Sequence, residues 1–277
     1  FIVPPNISGQ VITVVHDLTY LRYPETMKKS NLEHMRRGMR YSIARSDKII
    51  TVSQFSKEEI QTLLNVPEDK ISIVYNAPSL TNESVEYNLI QKKYKINKDY
   101  ILFVGTIEPR KNIERLLCAF SYLKKIYKIP HQLVLAGGKG WQDEEIYKTA
   151  AKIEFSEDVI FTGYISPEEK NTLYQNASVF VFPSVYEGFG IPPLEAMAMG
   201  CPVVCTNAAS LPEVVGDAAH FVDPFDEKSI ADGIIRVLSD HEYANDLVEH
   251  GYAQHKKFTW DRSAQQLLEV CREVLSM

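Results

Sequence analysis

The sequence lacks the features that mark several large classes of protein. Its 277 residues contain no apolar run near the ~20 residues that span a bilayer, and no internal repeat or low-complexity tract. A formal net charge of −6 argues against nucleic acid as a main partner, because such partners require a basic surface. The remaining composition, 45% hydrophobic and 24% charged residues, is ordinary for a globular protein.

Cysteines and metal-ligand patterns are also scarce. Of the four cysteines, Cys201 and Cys205 lie on one predicted strand, ~13 Å apart at about 3.3 Å per residue and too far for a disulfide. Reduced cysteines favour a cytoplasmic protein. No Asp-x-Asp motif and no paired histidine spacing occur, so we expect no catalytic metal. The first residues lack Met and the basic start of a signal peptide, which indicates a cut end.

One stretch, residues 184–202, organises the rest of the chain. The apolar run over 177–182 predicts a buried strand before it, and residues 203–205 predict a strand after it. Between them, Pro192 and Pro193 predict the first turn of a helix, since proline has no N–H to give later in a helix. In such a unit the loop and the helix N-terminus present free N–H groups to one crevice, which predicts an anion site.

Two carboxylates flank this predicted anion site. Glu187 lies on the loop with Gly188 and Gly190, and Glu195 lies in the first helical turns. Because a carboxylate repels phosphate, we expect both glutamates to bind hydroxyl groups, as an acidic residue binds ribose in dinucleotide folds. The pattern predicts a ligand that joins sugar, phosphate and nucleoside. The alternative is a helix N-terminus with solvated glutamates.

Two other predicted elements place polar residues where ligands bind. His16 and Asp17 follow a β-branched run, although a lone histidine at a strand end is often satisfied by the backbone. Arg110 and Lys111 begin a helix predicted over 112–127, where the helix dipole disfavours cations. We expect an arriving anion to neutralise them, and a solvated basic pair is the alternative.

Glycines and a tyrosine complete the candidate site. The strand predicted over 131–136 is followed by Gly137 and Gly138 without the Walker spacing, which favours a close-approach turn beside a ligand. The strand predicted over 159–164 ends at Tyr164, near the expected nucleoside base. Alternation of strands and helices along the chain predicts an α/β fold of doubly wound parallel sheets.

Length and polarity predict the domain organisation. Residues 1–80 fall short of the ~100–150 residues of a typical domain, so we expect an incomplete N-terminal Rossmann-like domain. A polar linker is predicted over 81–98 and a ligand-binding Rossmann-like domain over 99–258. A terminal helix over 259–277 is expected to cross back to the N-terminal domain.

The helix predicted over 29–46 combines an apolar stripe with an arginine cluster, namely Arg36, Arg37, Arg40 and Arg45. One interpretation packs the stripe on the sheet and leaves the arginines in water. The other is a basic surface that attracts an anionic membrane or a lipid-phosphate acceptor.

Several separated motifs resemble one family. The spacing Glu-x7-Glu inside Phe-Pro-Ser-x-Tyr-Glu-Gly-Phe-Gly-x-Pro-x-Leu-Glu-Ala-Met-Ala is similar to the signature of the retaining family 4 glycosyltransferases with the GT-B fold. The same family is matched by Val15-His-Asp-Leu18, Thr51-Val-Ser-Gln-Phe-Ser56, the run from Phe103 to Asn112, and Phe258-Thr-Trp260. The resemblance covers essentially the whole chain and is strongest to the mannosyltransferase-like branch.

The resemblance implies two Rossmann-like domains that face each other across a cleft. It implies transfer of a hexose, with mannose favoured, from a GDP- or UDP-linked sugar to a glycan or lipid-linked acceptor, with retention of configuration and without metal. Arg110 and Lys111 would stabilise the diphosphate. Glu187 would bind sugar hydroxyls, Glu195 the ribose, and His16 would lie near the reacting sugar. Further donor contacts are implied at Gly105, Thr106, Gly137, Gly138, Tyr164, Gly188, Phe189, Gly190 and Ile191.

Two departures from the family pattern keep other functions open. Thr106 stands where many members have arginine, and the family's first strands and glycine-rich acceptor loop, expected before Val11, are absent. The alternatives are a non-catalytic fragment that binds nucleotide sugars and a nucleotide-sugar epimerase on the same fold. We expect no cofactor, no nucleic-acid partner, and a cytoplasmic location that allows contact with the inner face of the membrane.

Overall fold

The computed structural model describes residues 2–81 and 83–276, which form two α/β bodies. The N-terminal body contains a parallel sheet in the order β1 (Ile12–Val14), β2 (Lys48–Thr51), β3 (Ile71–Ile73). Its helices are α1 (Thr19–Arg22), α2 (Lys29–Arg45) and α3 (Gln54–Leu64). Sheet and helices enclose a separate small core that includes Leu18, Met39, Ile49 and Ile60.

The C-terminal body is built on six parallel strands. In chain order these are β4 (Tyr100–Val104), β5 (Gln132–Ala136), β6 (Val159–Gly163), β7 (Val179–Phe182), β8 (Val203–Thr206) and β9 (Ala219–Val222). Their order across the sheet is β6, β5, β4, β7, β8, β9, and every neighbouring pair is parallel. The four central strands are buried along their whole length, which explains their nearly unbroken apolar sequences.

The remaining helices are α4 (Tyr87–Tyr94), α5 (Ile113–Tyr122), α6 (Glu144–Lys152), α7 (Pro167–Asn176), α8 (Ile191–Ala198), α9 (Leu211–Val215), α10 (Glu227–Ser239), α11 (His241–His255) and α12 (Trp260–Leu275). A π-helical turn, Leu123–Tyr127, extends α5, and 3-10 turns lie at Pro24–Thr26, Glu68–Lys70, Pro109–Lys111 and Ser156–Asp158. The Ser53 and Ser166 side chains cap α3 and α7. Among the described residues, no helix combines the length and apolarity needed to cross a membrane.

The strand order creates a crevice between β4 and β7. The chain steps outward from β4 to β5 and β6, then returns to β7 on the other side of β4. In sheets with this order, ligands bind at the carboxyl ends of the strands where the winding direction reverses. The loops after β4 and β7 meet there and bring together Lys111 and Glu187, which are 76 positions apart in the sequence. The predicted doubly wound fold is confirmed.

The segment predicted as a polar linker contains a helix. Helix α4 begins at Tyr87, and its Ile90 is buried in the core of the C-terminal body. Lys93 Nζ also lies 2.5 Å from Glu169 Oε1 of α7. The sequence interpretation missed α4 because an eight-residue helix with one fully buried side chain leaves almost no apolar periodicity to detect.

Helix α12 returns to the N-terminal body. Lys48 Nζ at the start of β2 lies 2.5 Å from Glu273 Oε1 near the end of the helix. At the other end, Ser263 Oγ donates to the Tyr75 carbonyl oxygen at 2.5 Å. Both ends of α12 thus contact residues that precede the chain crossing between the bodies.

Close backbone packing joins the loops after β4 and β5 beside the crevice. A Cβ atom at Gly137 would lie 1.9 Å from the Gly105 carbonyl oxygen, whereas one at Gly138 would meet no atom within 4 Å. The predicted close approach at Gly137 is therefore made to the backbone of the neighbouring strand end. Glycine is required there because no side-chain atom fits between the two loops.

Replacing Gly137 with alanine should destabilise the protein by about 1–3 kcal/mol, the usual cost of forcing extra atoms into a packed region. Gly138→Ala is the matched control, one position along the same turn, and should leave the free energy of unfolding nearly unchanged. Urea denaturation of both variants measures the difference. Equal stability of the two variants would contradict the packing described here.

Candidate active site

The loop after β4 presents two cations to the crevice. It ends in a 3-10 turn that contains Arg110 and Lys111. Asn112 closes the turn in a left-handed conformation with φ 59°. Its side-chain amide donates to the Pro183 and Pro224 carbonyl oxygens at 3.0 and 2.7 Å. Asn112 thereby ties the two cations to the loop after β7.

Glu187, on the loop after β7, pairs with both cations. Its Oε1 lies 2.6 Å from Lys111 Nζ, and its Oε2 lies 2.8 Å from Arg110 Nη1. Arg110 also pairs with Glu108 at 2.7 Å, and Lys111 and both glutamates are buried. Two carboxylates of the same chain thus neutralise Arg110 and Lys111 in this structure. The arriving anion expected from the sequence stays a prediction.

The charges of this cluster fix one another's ionisation. Burial alone would raise the pKa of Glu187, but Lys111 and Arg110 lower it to about 2. Burial lowers the pKa of Lys111, and Glu187 opposes that effect. The pair is ionised, because Arg110 keeps Glu187 anionic and the anion retains the lysine proton. Lys111 Nζ also lies 4.9 Å from the centre of the Phe182 ring, a contact that favours a cation.

Glu195, the second carboxylate of the motif, has a lysine of its own. It is 4% exposed in α8, and its Oε1 lies 2.5 Å from Lys170 Nζ. Its Oε2 accepts a hydrogen bond from the Tyr174 hydroxyl at 3.3 Å. Both partners belong to α7. The two glutamates are therefore oriented by cations from different elements.

The N-terminal body packs directly on the glycine loop. The Gly188 carbonyl oxygen accepts hydrogen bonds from Ser53 Oγ at 2.7 Å and Ser56 Oγ at 3.3 Å. A Cβ atom at Gly188 would lie 2.1 Å from the His16 carbonyl oxygen. Residues 183–190 of this loop are all buried. Glycine at 188 allows the loop and the end of β1 to touch through backbone atoms.

Two further contacts join the bodies beside this loop. The Tyr186 hydroxyl donates a hydrogen bond to Glu59 of α3. The Glu213 carboxylate of α9 accepts from the Gln54 and Phe55 backbone N–H groups at 2.7 and 3.0 Å. A carboxylate is favoured there because these N–H groups form the positive end of α3. Helix α3 is thus bound to the C-terminal body at its N-terminus.

His16 lies two residues beyond β1, facing the loop after β7. Its backbone contacts Gly188, while its side chain stays exposed. Partial desolvation lowers the pKa of His16, and the neighbouring Asp17 opposes this shift. A histidine that is largely neutral near pH 7 therefore stands at the edge of the crevice.

The other residues that the sequence predicts to contact the nucleotide sugar are distributed unevenly around the crevice. Gly190 precedes α8 with φ 113°, and Ile191 is the first residue of that helix. Phe189 turns its ring toward Tyr75 and Phe258, with ring centroids at 6.2 and 5.4 Å. Its side chain thus packs between the bodies and leaves only its backbone for the crevice.

The strand ends after β4 and β6 are open to solvent. Thr106 is exposed, and Tyr164 is 82% exposed just beyond β6. Gly105 and Gly138 are half-buried on the loops between them. The structure therefore brings Arg110, Lys111 and Glu187 together, but it does not bring Tyr164 to that cluster.

Sequence reasoning missed several groups that shape the site. Ser166 and its capping box locate α7, but no pattern connects Lys170 with Glu195, 25 positions later. Glu108 stands two residues before Arg110, and an acid next to two cations was a signal for an internal ion pair. The Ser53 hydroxyl accepts from the Ser56 N–H as the cap of α3 and also donates to the Gly188 carbonyl oxygen.

The strand order, the crevice at the winding reversal and a second parallel sheet against it define a protein of two Rossmann-like bodies. Two family models match the chain. "Glycosyl transferases group 1" matches residues 87–254, and "Glycosyltransferase Family 4" matches residues 8–80. The chain belongs to these glycosyltransferases. The first match begins at the first residue of α4, in agreement with the packing of this helix on the C-terminal body.

Curated relatives narrow the comparison. O-antigen chain mannosyltransferase B of Escherichia coli is 35% identical over 95% of this chain and 70% of its own length. O-antigen chain mannosyltransferase RfbU of Salmonella typhimurium is 35% identical over 81% of this chain and 60% of its own. Serotype-specific mannosyltransferase WbdA of Escherichia coli is 31% identical over 95% of this chain and 33% of its own. The chain thus spans part of each relative.

Solved structures show the same architecture. Sucrose-phosphate synthase from Thermosynechococcus elongatus superposes with a TM-score of 0.81 at 24% identity, over 98% of this chain and 69% of that one. Anabaena HepE in complex with UDP-glucose superposes with a TM-score of 0.80 at 18% identity, over 95% and 72%. The GT-B-like fold expected from the sequence is confirmed.

Glu187→Gln should lower the free energy of unfolding at pH 7 by about 3–5 kcal/mol, because Lys111 and Arg110 would lose a buried counter-charge. The difference in free energy of unfolding between wild type and Glu187→Gln should become smaller as the pH falls. The folded-state pKa of Glu187 is depressed from 4.5 to about 2, so its ion pairs stabilise the fold above the higher value and are lost as the pH falls toward the lower one.

Urea denaturation at pH 7 and pH 3 measures this narrowing. Glu145→Gln serves as the control, since Glu145 pairs with Lys148 at 2.6 Å on an exposed helix surface and should matter little at either pH. If the free energy of unfolding of Glu187→Gln differs from wild type by the same amount at both pH values, the carboxylate charge is not what stabilises the crevice.

Proposed function

We propose that this protein transfers a hexosyl group, with mannose favoured, from a nucleoside-diphosphate sugar to a hydroxyl of a glycan or lipid-linked acceptor. We further propose that the transfer retains the anomeric configuration and uses no metal ion. The observation that carries the proposal is the buried cluster of Arg110, Lys111 and Glu187 at the crevice. It is supported by 35% identity to a named mannosyltransferase.

The two cations match the charge of a diphosphate. Arg110 offers a planar fork of donors suited to phosphate oxygens, and Lys111 adds a compact charge. As the bond between the anomeric carbon and the diphosphate oxygen breaks, negative charge grows on the leaving group. Fixed cations in a buried site stabilise that charge without reorganisation, so a metal ion is not required for this role.

Donor binding requires an exchange of partners at Glu187. A diphosphate and a carboxylate repel each other in a buried site, so the arriving phosphates have to displace Glu187 from one or both cations. The released carboxylate then has acceptor oxygens available for hydroxyl groups of the donor sugar. Phosphate arrival and sugar binding are therefore coupled through one side chain.

The rest of the donor extends along the motif. Glu195, oriented by Lys170, is positioned in α8 to accept hydrogen bonds from ribose hydroxyls. The amides of Gly188 to Gly190 lie at the start of α8, where backbone N–H groups favour anions and sugar oxygens. The base would then lie toward the exposed strand ends at Thr106, Gly138 and Tyr164.

The acceptor approaches from the N-terminal body, whose His16 stands at the edge of the crevice. Its hydroxyl oxygen bonds to the anomeric carbon on the face that the diphosphate leaves, which gives retention. The hydroxyl proton passes to the departing phosphate oxygen. His16 contributes to the binding of the reacting sugar in this arrangement.

The printed names of the relatives favour mannose and a polysaccharide product. O-antigen chain mannosyltransferase B and WbdA are both named as mannosyltransferases. HepE, a more distant structural neighbour at 18% identity, was solved with UDP-glucose, which keeps a UDP-linked donor as the alternative.

Donor binding should raise the melting temperature. We expect one of GDP-mannose, UDP-glucose or UDP-N-acetylglucosamine to stabilise the protein by about 2.7 kcal/mol at roughly 100 times its dissociation constant. Lys111→Ala should abolish the shift because the diphosphate loses a buried cation. Lys92→Ala, which removes an exposed lysine of α4, is the control and should keep it. No shift with any of the three donors would contradict the proposal.

Transfer is tested with the stabilising donor and a mannose-terminated glycan. Lys111→Ala should lower kcat by about 10²–10³-fold, the range found when one fixed stabilising donor is removed. Proton NMR of the product should show the donor's anomeric configuration, and EDTA should leave the rate unchanged. A new sugar nucleotide formed without acceptor would instead indicate an epimerase, and binding without turnover a non-catalytic protein.

A further inference from the structure

A groove on the N-terminal body is lined by arginines that no carboxylate neutralises. It lies between α1, α2 and α3 and has a volume of about 680 Å³. Its walls include Tyr20, Leu21, Arg36, Arg40, Ile43 and Leu63, and no acidic side chain lines it. The groove is outside the cluster around Glu187, so the proposed transfer reaction does not account for it.

Arg36 and Arg40 differ from the other cations nearby. Both are exposed, and within the described residues neither forms an ion pair. By contrast, Arg37 lies 3.6 Å from Glu33, and Arg22 pairs with Glu59. Two guanidinium groups one helical turn apart therefore face the groove with their hydrogen-bonding capacity unused.

Tyr20 adds a third donor to this groove. It is 4% exposed, and its hydroxyl has no hydrogen-bond partner among the described residues. Desolvation raises the pKa of Tyr20, and nearby Arg40 opposes the rise, so the hydroxyl stays protonated next to the guanidinium. Three hydrogen-bond donors, two of them cationic, select an anion with several acceptor oxygens. A phosphate has both properties.

Apolar surface adjoins these donors. Leu21 is 39% exposed in the groove wall. Ile43, Leu63 and Leu64 complete the wall as partly buried side chains. A phosphate that carries apolar chains matches this combination better than a free phosphate does.

The positive charge extends beyond the groove. Lys28 and Lys29 are also exposed at the start of α2, whose 17 residues span ~25 Å at 1.5 Å per residue. This length exceeds a single phosphate group and matches a surface. The charge is local, since residues 1–80 carry ten Lys and Arg against eight Asp and Glu, while the rest of the chain carries 20 against 28.

We propose that α2 docks on a bilayer that contains anionic phospholipid, with one lipid phosphate bound between Tyr20, Arg36 and Arg40. This goes beyond the proposed transfer reaction and favours the second interpretation of the predicted arginine helix. Because α1 begins three residues after His16, docking of this face would place the crevice close to the lipid surface. A lipid-linked acceptor would then reach the crevice without leaving the membrane.

Vesicle co-sedimentation without donor tests this proposal. The protein should bind phosphatidylcholine vesicles that contain phosphatidylglycerol and should not bind phosphatidylcholine alone. Arg36→Gln combined with Arg40→Gln should weaken binding about 30-fold, since each basic residue near an anionic surface contributes about fivefold. Lys92→Gln combined with Lys256→Gln removes the same charge from exposed positions elsewhere and should bind like wild type.

Tyr20→Phe tests the groove itself, because it changes no charge. We expect it to weaken binding about threefold to tenfold through one lost hydrogen bond. Unchanged binding of Tyr20→Phe would overturn the phosphate site, and equal binding to both vesicle types, or a double arginine variant that binds like wild type, would overturn membrane docking. Unchanged melting temperatures of the arginine variants exclude unfolding as the cause. Because no donor is present, these outcomes are independent of whether transfer occurs.

Discussion

The pairing of Glu187 with Lys111 and Arg110 is the interaction on which the crevice depends. Three buried or nearly buried charges lie on two loops, and a buried charge without its partner is costly. The loops also share backbone contacts, since the Val185 N–H donates to the Arg110 carbonyl oxygen at 3.1 Å. The ion pairs therefore fix the position of both strand ends as well as the charges themselves.

The N-terminal body completes the site by covering it. Ser53 and Ser56 bind the Gly188 carbonyl, and the His16 backbone leaves no room for a side chain at that position. A ligand that reaches the Gly188 amide has to separate the bodies at this loop. The contacts to be broken there are hydrogen bonds and an aromatic contact between Tyr75 and Phe189. Access to the Gly188 amide is therefore coupled to the packing between the bodies.

Much of this architecture was predictable because it is encoded locally. Central strands such as Tyr100–Val104 are apolar along their length, and Pro192 fixes the start of α8 within one residue. The doubly wound order and the location of the site at strand ends follow from that alternation. Helix α4 was not predictable in this way, since one fully buried residue in eight gives no usable period.

Partners of the site residues were harder to predict than the residues themselves. The sequence indicates that Arg110 and Lys111 need an anion, but it does not indicate that the anion is Glu187, which the motif assigns to a sugar. Such pairings depend on which loops meet at the winding reversal, and therefore on the strand order. The same holds for Lys170 and Glu195, whose helices are adjacent only in the folded sheet.

The charge distribution explains why a local cluster is needed at all. Residues 81–277 carry 20 Lys and Arg against 28 Asp and Glu, so the C-terminal body as a whole repels anionic ligands. Screening at physiological salt limits that repulsion to about 8 Å, within which individual side chains dominate. Arg110, Lys111 and Lys170 lie at the crevice, each beside a glutamate that orients it. In the proposed function, selectivity for a diphosphate arises from exchange within these few ion pairs, while the acidic surface around them discourages anions elsewhere.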